Sequence, residues 1–215
     1  MTDWFAAHKD GLRQIGERLV ERRGFGILGG ELYQNVADTN ATRCDISITP
    51  MSGLPRIEVM VTDNNPTGFK DLTHAWMVFA PSEKKGDPTK AGRFNLGEKM
   101  VLAFCRNATI HTTSGTVVFD DKGRQEYPRR KRDEGTVFLA EMDCTRERLD
   151  QLITYFDKIL VRKGLDLCVN GRAIETREPI HSFQVALPTE IGDDLRPTVR
   201  QTTVEIYEPQ DGETP

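Results

Sequence analysis

The stretch Glu31-Leu32-Tyr33-Gln34-Asn35-Val36-Ala37-Asp38 decides how the chain is read. On a helix, Glu31, Asn35 and Asp38 fall at i, i+4 and i+7 and project from one face, while Leu32, Tyr33, Val36 and Ala37 fill the other. A carboxylate, an amide oxygen and a second carboxylate make a hard-oxygen surface. Such a surface suits Mg²⁺, which takes few protein ligands and completes its octahedron with water and phosphate oxygens. It also offers a carboxylate that can orient or deprotonate a water. Taken alone, the pattern equally describes the solvated side of an amphipathic helix, so its neighbours in sequence decide its meaning.

Upstream, Trp4, Leu12, Ile15, Leu19 and Val20 have helical spacing, and the glycine-rich segment 24–30 stops that helix before a second one over 31–40. Downstream, 44–49 alternates apolar and polar residues, 50–55 reads as a turn, and Ile57, Val59 and Val61 alternate again; these are two paired strands. Asp63-Asn64-Asn65-Pro66-Thr67-Gly68-Phe69 follows at once. An Asp at a strand end accepts from an exocyclic amine such as adenine N6, and guanine presents a carbonyl there, so the carboxylate discriminates. The same residues also suit a plain turn.

Leu72, Ala75, Trp76 and Phe79 predict a third helix. The stretch 80–95 has no periodicity and holds Pro81, Gly86, Pro88 and Gly92, the character of a functional loop. It runs into Gly92-Arg93-Phe94-Asn95-Leu96-Gly97-Glu98-Lys99, where another helix starts. Gly97 lets backbone approach a phosphate, and the free N–H groups and positive dipole end of the helix complete an anion site. Strands are predicted at 108–112, 116–119 and 136–142; Gly135-Thr136 opens the last, with a hydroxyl able to support Asp63. A helix over 149–160, a hairpin turn at Asn170-Gly171, a strand over 198–207 and a frayed polar tail at 208–215 complete the reading.

The 215 residues are 37% hydrophobic and 29% charged, which allows one substantial core or a main domain with a small appendage. A net charge of -4 excludes a global attraction to nucleic acid. The local exception, Arg129-Arg130-Lys131-Arg132, reads as a solvated hairpin end, with a phosphate-backbone contact as the minority reading. The four cysteines lack zinc spacing; Cys44, Cys105 and Cys168 sit in apolar patterns and read as reduced core thiols. No apolar run approaches bilayer length and the first residues lack a signal-peptide pattern, so the expectation is cytoplasmic, with no membrane partner. Strands and helices are plentiful without strict alternation. The expected fold is therefore α+β, a two-layer sandwich of a mixed, mainly antiparallel sheet with helices on one face.

The order of these elements is specific. A hard-oxygen helix, an Asp turn, a long loop, a glycine-led helix start and a Gly-Thr strand resemble the GHKL ATPase superfamily, which includes gyrase-type topoisomerases, heat-shock chaperones, histidine kinases and MutL-type proteins. Residues 31–42 look like its first box, nearest the MutL version through Ala41-Thr42-Arg43; 63–68 resemble the second, and Phe94-Asn95-Leu96-Gly97-Glu98 the phosphate glycine box. The likeness covers about residues 12–142. It implies ATP as substrate, a Mg²⁺ cofactor and the Bergerat ATP-binding fold over 1–180, with 181–215 a strand extension that is either the start of a transducer-like region in a longer protein or the end of a complete minimal ATPase.

Residue by residue, the resemblance makes Glu31 the general base, Asn35 the Mg²⁺ ligand and Asp38 a supporting carboxylate. Asp63 becomes the adenine reader, Gly68 the glycine of its turn, Gly97 the phosphate-cradle glycine and Thr136 the adenine-side hydroxyl. Lys84, Lys85, Lys90 and Lys99 are candidates for a γ-phosphate cation, the alternative source being a following domain. The family carries a glycine where Asn65 stands and its next glycine one residue before Gly68, so the turn must be rebuilt, with a left-handed Asn65 as one solution. The implied activity is slow ATP hydrolysis coupled to closure of an 80–95 lid or to homodimerisation, in a DNA transaction or clamp. A chaperone-like ATPase and a nucleotide-binding module without efficient catalysis stay open. His8, His74, His111 and His181 lack a phospho-acceptor context, which speaks against a histidine kinase.

Overall fold

Period-two alternation builds the sheet. In β1 (Arg43–Pro50) Cys44, Ile46 and Ile48 are buried, and in β2 (Arg56–Asp63) Ile57, Val59 and Val61 are. The strands pair antiparallel with Ile46 opposite Val61 and Ile48 opposite Val59, so their apolar side chains share one face. The structure is a computed structural model that describes residues 8–69, 71–77, 96–191 and 196–210.

The remaining strands of the main sheet are β3 (Cys105–Thr112), β4 (Gly115–Asp120), β5 (Gly123–Tyr127), β6 (Val137–Asp143), β7 (Asp166–Val169) and β8 (Arg172–Ile174). Their order is β5-β4-β3-β6-β2-β1-β7-β8. Every pairing is antiparallel except β1 with β7. The exception arises because the chain crosses over through α4 (Arg146–Asp157) between β6 and β7. With α1 (Lys9–Arg23), α2 (Ile27–Ala37) and α3 (Gly97–Phe104), α4 forms the second layer. Leu28, Leu32 and Val36 of α2, Val101 and Phe104 of α3, and Leu152 and Phe156 of α4 join the inward strand residues in one core. Burying each such side chain contributes roughly 1.5–3 kcal/mol. On the sheet's other face Met60 and Leu139 are exposed. The fold is the α+β two-layer arrangement that the sequence predicts.

Several local expectations change. The second helix begins at Ile27, not 31, and carries Gly29 and Gly30 within it. Packing outweighs the helix cost of glycine here. A Cβ on Gly29 would lie 2.7 Å from Leu152 Cδ1 and 2.7 Å from Phe156 Cζ, and one on Gly30 2.8 Å from Tyr155 Cζ. The bare glycines let α4 sit directly on α2. The predicted third helix is a single 3-10 turn, Leu72–Ala75, whose Thr73 N–H donates to Asp71 Oδ1 at 2.9 Å; Phe79 and the whole 80–95 loop lie outside the described residues. The first helix starts at Lys9, and Trp4 also lies outside the described residues.

Strand β5 (Gly123-Arg124-Gln125-Glu126-Tyr127) has no apolar alternation and is formed by edge pairing with β4. The predicted C-terminal strand, β10 (Arg196–Ile206), pairs with β9 (His181–Ile191) in a separate two-stranded ribbon. The Asn170-Gly171 hairpin stands as predicted, with positive φ of 49 and 78 at its two central residues. All four cysteines are free thiols; Cys44, Cys105 and Cys144 are buried and Cys168 is half-buried.

The α2–α4 contact makes a prediction. Gly29→Ala should destabilise the protein by about 1–3 kcal/mol, because both facing side chains are themselves buried and cannot yield. Gly11→Ala on α1, where no atom lies within 4 Å of the new Cβ, should be neutral or stabilising. Thermal unfolding of the two variants beside wild type checks the contrast.

Candidate functional site

The site is laid out by strand register. β6 lies between β2 and β3, with Thr62 opposite Val137 and His111 opposite Val137. One step further along, Asp63, Thr136 and Thr112 therefore stand side by side at one end of the sheet. The Asp63 N–H donates to the Thr136 carbonyl at 3.0 Å, and the Thr136 hydroxyl donates to Thr112 Oγ1 at 3.5 Å. Thr112 is fully buried, and its oxygen also accepts from the Phe69 N–H at 2.9 Å. Thr112 has no motif signal; only the register of β3 against β6 brings it to Asp63.

The Asp63 turn is held from both sides. Its Oδ1 accepts from the Asn65 N–H at 2.8 Å, and the Asn65 carbonyl accepts from Gly68 at 3.1 Å and from Gly135 at 2.9 Å. Among the described residues other than glycine, only Asn170 has positive φ, so Asn65 is not left-handed. The rebuilt turn places its positive φ at Gly68, with a value of 51. A Cβ on Gly68 would stand 2.5 Å from Thr112 Oγ1 and 2.6 Å from Thr113 Oγ1. Gly135, at φ 67, packs its Cα onto the Asp63 carbonyl so closely that any side chain would overlap it. Burial pushes the Asp63 carboxyl up from the ordinary carboxylate value, while the N–H groups of Asn65 and Thr136 and the charge of Arg132 pull it back.

In the helical layer, α2 brings Glu31 against the start of α3. The Glu31 carboxylate touches Gly97, the first residue of α3, in the space a Cβ would fill. No side chain caps this helix start. Burial raises the Glu31 carboxyl above its ordinary value, and the Arg23 charge opposes the shift. Among the described residues neither the Glu31 carboxylate nor the Asn35 amide is committed to a hydrogen bond or ion pair, whereas Asp38 accepts from Gln34 Nε2 at 2.8 Å and caps the end of α2. Lys99 turns inward: its ammonium is buried, donates to the His74 carbonyl and lies 3.2 Å from Glu98 Oε2. The structure thus assembles two clusters, Asp63 with Gly68, Thr112, Gly135 and Thr136, and Glu31 with Gly97. Asn35 and Asp38 follow Glu31 on α2.

An uncommitted amide oxygen at Asn35 fits a Mg²⁺ ligand, with water and substrate phosphate as the remaining donors. A helix start with a glycine at its first position fits a phosphate.

No family model matches the sequence, and the comparison with curated proteins finds no relative. Solved structures do match. The ATPase region of Saccharomyces cerevisiae topoisomerase II superimposes with a TM-score of 0.54 at 15% identity, over 72% of this chain and 50% of that one. The same region bound to ICRF-187 (dexrazoxane) gives 0.51 at 16%, over 71% and 49%. The ATPase and transducer domains of DNA topoisomerase II from Balamuthia mandrillaris give 0.50 at 15%, over 71% and 48%. At this level of identity the likeness shows the fold, which is that of the ATPase region of topoisomerase II. The resemblance of residues 31–43 to MutL-type proteins rests on sequence alone. The chain spans about half the length of these structures.

The Asp63 cluster can be tested by one glycine. Gly135→Ala places a Cβ on the Asp63 carbonyl at a φ that disfavours it, and should cost about 1–3 kcal/mol of stability. Gly11→Ala, with open space and no positive φ, should lack that cost, and thermal unfolding of the two variants checks the contrast.

Proposed function

We propose that this chain binds ATP with Mg²⁺ and hydrolyses it slowly. The observation that carries the reading is the pair of half-buried carboxylates in contrasting settings. Asp63 is tied into a rigid backbone turn, as a base-reading group must be. Glu31 touches the helix start that would take the phosphates, yet holds no hydrogen bond of its own among the described residues.

In this reading Asp63 accepts the exocyclic N–H of adenine, supported by the Thr136–Thr112 hydroxyl pair. The first N–H groups of α3 receive the phosphates, with Gly97 allowing their approach. Asn35 would hold Mg²⁺, which when bound would offset the negative charge of the phosphate oxygens. Glu31 orients the attacking water and takes its proton; a carboxyl raised by burial is a better base near neutral pH than an ordinary glutamate. As pH falls through its raised value Glu31 becomes protonated, so turnover should be lost on the acid side while the alkaline side is retained.

Lys99, engaged with His74 and Glu98, would have to leave those partners to reach a phosphate. That supports slow turnover in this chain, with the γ-phosphate cation coming from the 80–95 lid, a second subunit or a following domain. ATP-dependent lid closure and homodimerisation, in a DNA transaction or a chaperone-like role, belong to the same proposal. Among the described residues no helix is long and apolar enough to cross a membrane, and the free thiols support a cytoplasmic setting.

Two measurements test the reading. Saturating ATP with Mg²⁺ should raise the midpoint of thermal unfolding and GTP should raise it far less. Equal shifts would remove the adenine-reading role of Asp63. In single-turnover assays paired with calorimetry, Glu31→Ala should keep ATP affinity and lose about 10²–10⁴-fold in hydrolysis. Asn35→Ala should lose Mg²⁺-dependent affinity and turnover together, because a metal ligand acts in the ground state as well as the transition state. Glu31→Ala hydrolysing as fast as an active wild type would sink the mechanism. Tight ATP binding with no hydrolysis even in the full natural protein would leave a binding module.

A further inference from the structure

Asn64 has no part in the mechanism above, yet its side chain joins the two regions that the mechanism needs. It follows Asp63 directly. Its Oδ1 accepts from the Thr42 N–H at 2.9 Å and from the Arg43 N–H at 2.9 Å, and its Nδ2 donates to Thr42 Oγ1 at 2.9 Å. The pairing of β1 with β2 has its last partners at Cys44 and Asp63. One step beyond, the Asn64 side chain continues the ladder in place of backbone and satisfies two N–H groups that the strand pair leaves over. Residues 39–43 connect the end of α2 to β1, and they are fixed from another side as well. The Arg162 guanidinium donates to the Thr39 carbonyl at 2.6 Å and to the Ala41 carbonyl, and the Arg162 N–H donates to the Tyr33 hydroxyl of α2 at 2.7 Å. The Thr39 hydroxyl donates to the Val36 carbonyl, beside Asn35, at 2.7 Å. A run of bonds therefore leads from the Asp63 turn through Asn64 and the 39–43 loop to the helical turn that carries Asn35. The Asp63 turn itself is closed by Asn65, Gly68 and Gly135, not by the Asn64 side chain, so mutation can separate the two tasks.

We propose that Asn64 is a positioning residue that clamps the 39–43 loop to the base pocket and so holds Asn35 at a fixed distance from Asp63, where one nucleotide can engage both. The inference rests on the ATP and Mg²⁺ reading and goes beyond it by naming the side chain that couples the two ends of the site. A nucleotide held at one end presents its other end at a set distance, and the second contact forms at full strength only where its partner is already in place. With the clamp released, ordering the loop falls to the ligand, and affinity drops by that cost. The loss should appear where base and metal site are engaged together, and not in base reading alone.

The experiment is calorimetric titration of the full chain with ATP, once with Mg²⁺ and once with EDTA, and with adenosine in EDTA. Wild type is compared with Asn64→Ala, Asn64→Asp and Thr42→Val. With Asn64→Ala, affinity for adenosine and for metal-free ATP should stay within about twofold, while the gain in ATP affinity from Mg²⁺ should shrink by about tenfold, a usual size for coupling between sites. Asn64→Asp keeps an acceptor for both N–H groups and should restore most of the gain. Thr42→Val removes the hydroxyl leg alone and should give a smaller loss in the same direction; it carries the test should Asn64→Ala not fold. An undiminished Mg²⁺ gain in these two variants overturns the proposal. So does an equal fall in adenosine and ATP affinity, which would make Asn64 part of the base turn. A lower unfolding midpoint with every affinity unchanged overturns it too, since the clamp would then serve stability alone. A wild type that binds no ATP, or gains nothing from Mg²⁺, sinks the underlying reading instead; the wild-type titration alone reveals that, so the two failures are distinguishable.

Discussion

The register of β6 between β2 and β3 is the constraint on which the candidate site depends. Val137 stands opposite both Thr62 and His111, and the next row therefore contains Asp63, Thr136 and Thr112. A shift of one residue in either pairing would send these side chains to the other face of the sheet. The register is held by burial, since Phe138, Ala140 and Met142 must point inward with Val59, Val61 and Ile110. Gly135 completes the constraint: its backbone lies against the Asp63 carbonyl, an approach that leaves no room for a side chain.

Glycine plays the same part in the helical layer. Gly29 and Gly30 let α4 rest on α2, and Gly97 lets the Glu31 carboxylate reach the start of α3. Each substitutes close backbone approach for a side-chain contact. The result is a helix, α2, held from behind by α4 while its Glu31 is brought to the end of another helix. Intrinsic propensity disfavours a Gly-Gly pair near the start of a helix, and packing decides against it.

The two carboxylates illustrate how one physical effect can serve different tasks. Burial raises both. At Asp63 two backbone N–H groups and Arg132 work against the shift. At Glu31 the charge of Arg23 opposes the shift, and among the described residues no hydrogen bond holds the carboxylate. A group with many fixed donors is suited to recognition, and one with few is suited to accepting a proton.

Much of this was legible in the residues themselves. Alternation at 44–49 and 57–61, the helical face of 31–38 and the Asn170-Gly171 turn are local patterns, and local patterns report local conformation. The ordered motifs around Glu31, Asp63, Gly97 and Thr136 named the fold and the candidate residues, because each motif places a particular chemistry beside a particular backbone shape. What lay beyond the sequence has one common cause: it depends on partners distant along the chain. The helix could begin at Ile27 only because α4, more than a hundred residues on, packs against its glycines. β5 became a strand through its pairing with β4, the positive φ fell to Gly68 and not to Asn65 because Thr112 and Thr113 approach there, and Lys99 turned to His74. Thr112 reached the Asp63 cluster by register, and Arg132 reached Thr112 by one backbone hydrogen bond, contacts that spacing in the sequence does not encode. The sequence by itself determined the class of fold and the candidate residues; the tertiary structure alone decided which of them meet, since pairing across a sheet joins residues by register and not by their distance along the chain.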